Sequence, residues 1–346
     1  MNQKCVTCVV MKVGIKDIAA ETGVSIATVS HALRNPDRVS DETRKKVLAA
    51  AEKAGYTPNR MAASLRTARS GNIVVIIPDI TDSLNGKIIS GIEAVARARG
   101  YSVLLGNTKG SEKREREFAS LTLSSQADGI ILMSHRMPFA PGPGGLRVDE
   151  IPPMVNGCED TGFEEIPLVA IDDQQAALDA TEYLLSLGHR DIAVITGDME
   201  STSSRRRLEG YRQAMGDAGL AVNDSWVVFG NYLPEAGESA ARELMMQKVR
   251  PTAIFCFSDE MAIGCMHALK GQGFSVPADV SVMGFDGIPF ARYAAPPLTT
   301  VAQPTDKIGA ECARILLDII EGNPPETLRN YLPHELVVRE STSPIN

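Results

Sequence analysis

Two side chains in this 346-residue chain stand where they could act on a small polar molecule. Asp286 follows the apolar run VSVMGF, and a carboxylate at the end of a strand can accept hydrogen bonds from hydroxyl or ring N–H groups. Arg207 ends the run Arg205, Arg206, Arg207 behind ITG, and is read as opening the next helix with a guanidinium fork that can donate. A plainer reading stands beside each: Arg207 as a solvated member of its run, Asp286 as a turn residue ahead of Gly287. Neither belongs to a catalytic set, because no P-loop, G-x-G-x-x-G, G-x-S-x-G or H-E-x-x-H occurs. His189, in GHRDI, lies between a helix end and a strand and is read as structural. Cys5 and Cys8 form a C-x-x-C without a second pair or a nearby histidine, so no metal is expected. Cys158, Cys256, Cys265 and Cys312 sit in or beside apolar segments, where free cysteine behaves as a small buried hydrophobe and fits a reducing cytoplasm. Neither an enzyme nor a cofactor follows from this inventory.

A second chemistry lies near the N-terminus, in IKDIAAETGVSIATVSHAL, from Ile15 to Leu33. Ile15, Ile18 and Ala19 recur on one helical face, Gly23 breaks the helix, and Ser25 offers a hydroxyl to cap the next one. Val24 and Val29 are placed to pack back on Ile18, which leaves Ile26, Ala27, Thr28 and His31 facing outward. Two short helices and a tight turn in this arrangement present the second helix's N-terminus to the DNA major groove, although an ordinary helical hairpin inside a larger core has the same periodicity. Ser40 with Asp41 and Glu42 opens a third helix that ends near Gly55, and Val47, Leu48 and Ala51 are expected to close a small core.

Charge divides the chain in the same place. Residues 1–71 hold twelve Lys/Arg against six Asp/Glu, a balance of +6, and the remainder holds 23 against 37, a balance of −14. A basic head on an acidic body is what is expected when only the head meets phosphates, since counterion release needs positive charge only at the contact surface.

From Asn72 onward the pattern alternates. IVVIIP, YSVLLG, GIILM and LVAI read as strands buried on both faces of a parallel sheet, and IAVITG, WVVFG, AIFCF and VSVMGF form a second set. Helices are expected between them at 87–99, 112–125, 176–187, 207–218, 236–247 and 260–272, with a last helix at 308–321 returning to the first sheet. The result is an α/β chain with two doubly wound parallel sheets and crossings near Asp172, Ala302 and Asn330 that make a hinged cleft. The length suits two or three domains. No apolar run approaches the roughly 18 residues of a membrane span, and no signal peptide is read at the N-terminus.

Four blocks in this order, IKDIAAETGVSIATVSHAL, GYTPNRMAASL, GHRDIAVITG with RLEGY, and VSVMGFDG with PPLTTVAQP, give the chain a resemblance to the LacI/GalR family of bacterial repressors over nearly its whole length. NPDRVS, VIIPDITD, RMPF and PPMVN make it most similar to the purine and cytidine repressor branch. The resemblance implies a disordered tail at 1–14, a helix-turn-helix headpiece at 15–58 and a hinge helix at 59–71. It further implies two subdomains of periplasmic-binding-protein type: an N-terminal effector and dimerisation subdomain at 72–171 with 302–330, and a C-terminal one at 172–301 with 331–346. Met11 begins MKVGIKD, the family's usual start, so residues 1–10 stand ahead of it.

By the same resemblance, DNA contacts are expected from Ser25, Ile26, Ala27, Thr28, Ser30 and His31, with Ile26, Ala27 and His31 at base-reading positions, and from Asn59 and Leu65 in the linker. Leu65 matches the leucine that wedges into the central minor-groove step. The family usually has arginine where this chain has Ala63, which puts one contact in doubt. Effector contacts are expected from Leu84, Asn85, Ser203, Arg207, Tyr232 as a stacking aromatic, and Asp286. The aromatics that the family often carries near Leu84 and Asn85 are absent here, which weakens stacking on that side. The whole reads as a cytoplasmic, dimeric, ligand-responsive repressor of a pseudo-palindromic operator, with a nucleoside, purine or sugar as effector and no membrane partner. A periplasmic-type binding protein and an activator of the same family are the alternatives. The C-terminus lacks apolar heptads, so a dimer and not a tetramer is expected.

Overall fold

The structure is a computed structural model and describes residues 13–34, 38–56, 69–139, 147 and 150–345. It forms two compact units, Met1–Arg69 and Ser70–Asn346. The expected tail, Asn59 and Leu65 lie outside the described residues, except that Val13 and Gly14 are ordered against the first helix.

In the first unit α1 (Ile15–Thr22), α2 (Ile26–Arg34) and α3 (Asp41–Lys53) surround a small core. Ile18, Val29 and Val47 are wholly buried there, with Ala19, Ala32 and Ala50 packed beside them. Gly23 ends α1 in the left-handed region (φ +68°), the conformation a residue without Cβ adopts at least cost, and Ser25 Oγ accepts from the Thr28 N–H at 3.0 Å. Leu48 departs from expectation: it is 42% exposed, and Ala50 takes its place inward. One step along a helix turns a side chain by about 100°, so Leu48 cannot share the face of Val47.

The second unit contains β1 (Asn72–Ile77), α4 (Ser83–Ala98), β2 (Ser102–Asn107), α5 (Glu112–Leu123), β3 (Ile130–Leu132), β4 (Met154–Gly157) and β5 (Leu168–Ala170), then α6 (Asp173–Ser186), β6 (Ile192–Thr196), α7 (Thr202–Asp217), β7 (Val227–Phe229), α8 (Pro234–Met245), β8 (Ala253–Cys256), α9 (Asp259–Gly271), β9 (Ser281–Asp286), β10 (Thr299–Ala302), α10 (Thr305–Glu321), β11 (Arg329–Tyr331) and β12 (Glu335–Val337). Two sheets result, ordered β11-β5-β4-β3-β1-β2 and β12-β10-β9-β8-β6-β7. All pairings are parallel except β10 with β12. Each lobe repeats one doubly wound order, in which ligand crevices open beyond the strand C-termini where the winding reverses.

Register settles where the chain changes lobe. Ala302 still pairs with Asp286 and Glu335 in the second sheet, and Tyr331 still pairs with Ala170 in the first. The second and third crossings therefore fall just beyond Ala302 and Tyr331, which places Ala302 with the second lobe and Tyr331 with the first, the reverse of the expected division at these two residues. α10 returns to the first lobe and packs on α4, and the two backbones touch: a Cβ on Gly91 would lie 2.3 Å from the Asp306 carbonyl oxygen, and one on Gly309 would lie 2.0 Å from that of Ile88. Among the described residues no helix is long and apolar enough to cross a membrane.

Candidate functional site

A cavity of about 500 Å³ lies between the two lobes, at the C-terminal ends of their strands. The first lobe supplies Asp79 and Asp82 after β1, Leu84 and Asn85 from α4, Ser134 to Arg136 after β3, and Glu159 after β4. From the second lobe come Ser201 and Ser203 from the start of α7, Arg207 from its second turn, Tyr232 after β7, Ser258 and Glu260 around the start of α9, and Asp286 at the end of β9, with Gln303 at the crossing. Leu84, Asn85, Ser203, Arg207, Tyr232 and Asp286, singled out from separate stretches of sequence, thus line one space.

Arg207 is not a solvated member of its run. It lies in the second turn of α7, which starts at Thr202 with Ser201 as its cap, and not at the helix start. Its guanidinium is buried: Nε donates to Asp173 Oδ1 at 2.8 Å, Nη1 donates to the Phe257 carbonyl at 2.6 Å, and the group stacks 3.6 Å from the Phe285 ring centroid. Asp286 Oδ1 lies 3.8 Å from Nη1 and accepts from the Gln303 amide at 2.8 Å. Burial alone would push the guanidinium towards losing its proton, but the charges of Asp173 and Asp286 outweigh it and hold Arg207 protonated. One cation between two carboxylates leaves the group short of positive charge. Burial accordingly pushes both carboxyls up, Asp286 furthest, against the downward pull of Arg207. Asp286, which lines the cavity, adopts φ +115°, outside the ordinary range for an L-residue.

Tyr232 is held by three serines and by Gly197. Its hydroxyl meets Ser204 Oγ at 2.6 Å, Ser201 Oγ at 3.2 Å and Ser203 Oγ at 3.3 Å. Its ring passes so close to Gly197 that a Cβ there would stand 2.0 Å from Tyr232 Cζ, which is why ITG must end in glycine. Asn85 is fixed by donation to the Asp79 carbonyl, and Arg136 by a fork onto Glu115 with 3.0 Å bonds from Nε and Nη2. Asp82 caps α4 by accepting from the Leu84 N–H, while burial pushes its carboxyl up to about 6, helped by the charges of Glu260 and Asp79.

Sequence reasoning missed Asp82, Glu159, Asp173, Glu260 and Gln303. Asp172-Asp173 ahead of an apolar helix was a readable cap signal, and Asp172 does accept from the Gln175 N–H. Glu159 follows a strand that was itself not anticipated, and nothing local marks Glu260 or Gln303.

In the headpiece, Ser25 is spent on capping and its hydroxyl meets that of Thr28 at 2.8 Å. Ile26 is 45% exposed although it is a large apolar side chain, and Ala27 is exposed next to it. Thr28, Ser30 and His31 are half-buried, and Lys16, Arg44, Lys45 and Lys46 are exposed.

A helix-turn-helix unit followed by two doubly wound lobes around a polar cavity is the architecture of a bacterial regulator built on a periplasmic-binding-protein body. Residues 14–59 match the family model of bacterial regulatory proteins, lacI family, and residues 181–342 match that of the periplasmic binding protein-like domain. The HTH-type transcriptional repressor CytR of Escherichia coli (strain K12) is 40% identical over 328 residues, covering 95% of this chain and 96% of the relative. The chain belongs to the lacI family and is a DNA-binding transcriptional repressor, not an enzyme. Among solved structures, the transcriptional regulator CelR–cellobiose complex is 31% identical with a TM-score of 0.72, covering 95% of this chain and 99% of that one. The lac repressor dimer bound to operator and the anti-inducer ONPF is 26% identical with a TM-score of 0.81, covering 96% and 99%.

Proposed function

We propose that this chain is a cytoplasmic, dimeric, ligand-responsive repressor whose headpieces bind a pseudo-palindromic operator and whose inter-lobe cavity holds a small polar effector, a nucleoside, purine or sugar. The observation that carries the effector reading is the convergence of residues from both lobes, including the buried group of Arg207, Asp286 and Gln303, on one cavity of about 500 Å³, a volume typical of small-molecule sites. CelR is recorded with cellobiose and the lac repressor with ONPF, which supports a ligand in the corresponding cleft. In the headpiece, exposed Ile26 and Ala27 suit apolar contact with thymine methyl groups, and His31 suits a base edge or phosphate, with Ser25, Thr28 and Ser30 beside them. Asn59 and Leu65 complete the proposed DNA-contacting set from the linker, Leu65 as the minor-groove wedge. An effector that binds one lobe arrangement more tightly shifts the equilibrium between arrangements and so changes operator affinity.

A thermal-shift screen over nucleosides, purines and sugars is the first test, followed by calorimetry with the compound that stabilises the protein most. Asp286→Asn keeps the side chain's shape and is expected to weaken that compound by about 1.5–3 kcal/mol while leaving operator binding without effector unchanged. Equal affinity in wild type and variant would remove Asp286 from the site. Arg207→Ala is the poorer probe, since it strands two buried carboxylates and is expected to destabilise the fold by about 3–5 kcal/mol.

A further inference from the structure

Two hydrogen-bond clusters cross the cleft, and each puts a glutamate from one lobe on the first turn of a helix in the other. Glu159, in the loop after β4 of the first lobe, accepts at Oε2 from the N–H groups of Thr202 (3.0 Å) and Ser203 (3.4 Å), the first two residues of α7. Its Oε1 accepts from the hydroxyls of Ser201 (2.6 Å) and Ser203 (2.5 Å). Glu260, the second residue of α9 in the second lobe, accepts at Oε1 from the N–H (3.1 Å) and hydroxyl (2.7 Å) of Ser83, the first residue of α4.

These are the N–H groups that the helices cannot satisfy themselves. The first N–H groups of a helix have no partner inside it. The local caps take only later ones: Ser201 accepts from Ser204, and Asp82 accepts from Leu84. What the caps leave over at Thr202, Ser203 and Ser83 is taken by the opposite lobe's carboxylate, and a negative charge at that end is further favoured by the helix dipole. Each lobe therefore lends an acid to the other, and separating the lobes uncovers both helix starts at once.

We propose that Glu159 and Glu260 form a two-point latch that sets how far the cleft closes in the protein alone, before any effector arrives. The reading of the cleft as an effector site enters only in the consequence: a ligand reaching Ser203 must compete with Glu159 for the same hydroxyl, so the latch tunes the response as well as the shape. A glutamate that merely capped a helix would leave lobe closure indifferent to its loss.

The test uses the full-length chain without effector or operator, so its outcome is independent of the proposed ligand class. Glu159→Ala, Glu260→Ala and the double variant are compared with wild type by amide hydrogen exchange and small-angle X-ray scattering. Glu159→Ala is expected to raise exchange at Thr202 and Ser203 by about tenfold or more without affecting Ser83, and Glu260→Ala the converse. The double variant is expected to have a larger radius of gyration than either single one. Glu159→Gln and Glu260→Gln, which keep an acceptor oxygen, should restore part of the protection and compactness and guard against misreading a fold defect. Faster exchange with unchanged scattering in the double variant would reduce both residues to helix caps and overturn the latch, as would exchange unchanged at all three residues.

Discussion

Asp259 shows how a single buried carboxyl can make this protein's stability depend on pH. Its Oδ2 accepts from the Ile288 N–H at 2.8 Å and its Oδ1 from the Thr300 hydroxyl at 2.6 Å, tying the start of α9 to the loop that follows Asp286 and to β10. Burial outweighs these bonds and pushes the carboxyl from 3.8 up to about 7. A carboxyl raised on folding contributes stability that is fully present below its unfolded pKa and is lost as pH rises through the folded one, here from about 4 to about 7. Asparagine has the same shape and does not ionise. The melting temperature of Asp259→Asn should therefore fall less than that of wild type between about pH 5 and pH 8, whatever the offset between them at the acid end. Parallel curves in scanning calorimetry would show that Asp259 does not titrate in that window. None of this was legible in the sequence, where the helix was expected only from Glu260 onward; the shift comes from what β10 and the loop after β9 place around Asp259.

At the scale of elements, legibility followed length and continuity. β1 was readable because an unbroken apolar run of five residues has few other uses, and β2 (SVLLGN) was readable as a strand but lies half-exposed at the sheet edge rather than buried on both faces, whereas β11 (RNY) and β12 (ELV) are three residues long, partly polar and defined only by their neighbours. Helix starts were expected several residues too late at α4, α6 and α7, because polar capping turns precede the apolar stripe on which periodicity depends. The C-terminal segment was assigned to the second lobe by resemblance alone, and no local signal marked how it is held there: Ser341 exchanges bonds with Val282 through its carbonyl at 2.8 Å and its hydroxyl at 2.6 Å, and accepts from the Thr299 N–H at 2.8 Å. Beyond it Thr342 meets Thr299 and Tyr183, the Ser343 carbonyl meets buried His189, and the Ile345 N–H bonds Leu187. Deleting the last six residues is expected to uncover the starts of β9 and β10 and destabilise the second lobe by about 3–5 kcal/mol, with a lower urea midpoint and an unchanged slope. An unaltered midpoint would show that these bonds contribute nothing net.

For the whole molecule, the division of charge decides what kind of DNA binder it is. The second unit, from Ser70 onward, carries all of the acidic excess, so by itself it should repel a duplex, and attraction has to come from the twelve basic residues of the first 71. In the proposed DNA-contacting set Ile26 and Ala27 add no charge and would read sequence only through apolar contact, so the proposal rests the free energy of holding the duplex largely on phosphate contacts by exposed basic residues such as Lys16, Arg44, Lys45 and Lys46. Binding of that kind falls steeply with salt: a protein making roughly six to ten phosphate contacts loses about 10³- to 10⁵-fold in affinity between 50 and 200 mM. Operator affinity measured by fluorescence anisotropy across that range should follow such a slope. A chain beginning at Ser70 should bind no DNA while keeping full affinity for the effector. Replacing Lys45 and Lys46 together by alanine should lower the slope by about two for each headpiece engaged, provided both contact phosphates, and should weaken specific and nonspecific sites alike. If operator affinity proved insensitive to salt, or if the chain from Ser70 still bound the duplex, the basic head would not be the DNA-binding surface and the charge asymmetry would need another cause.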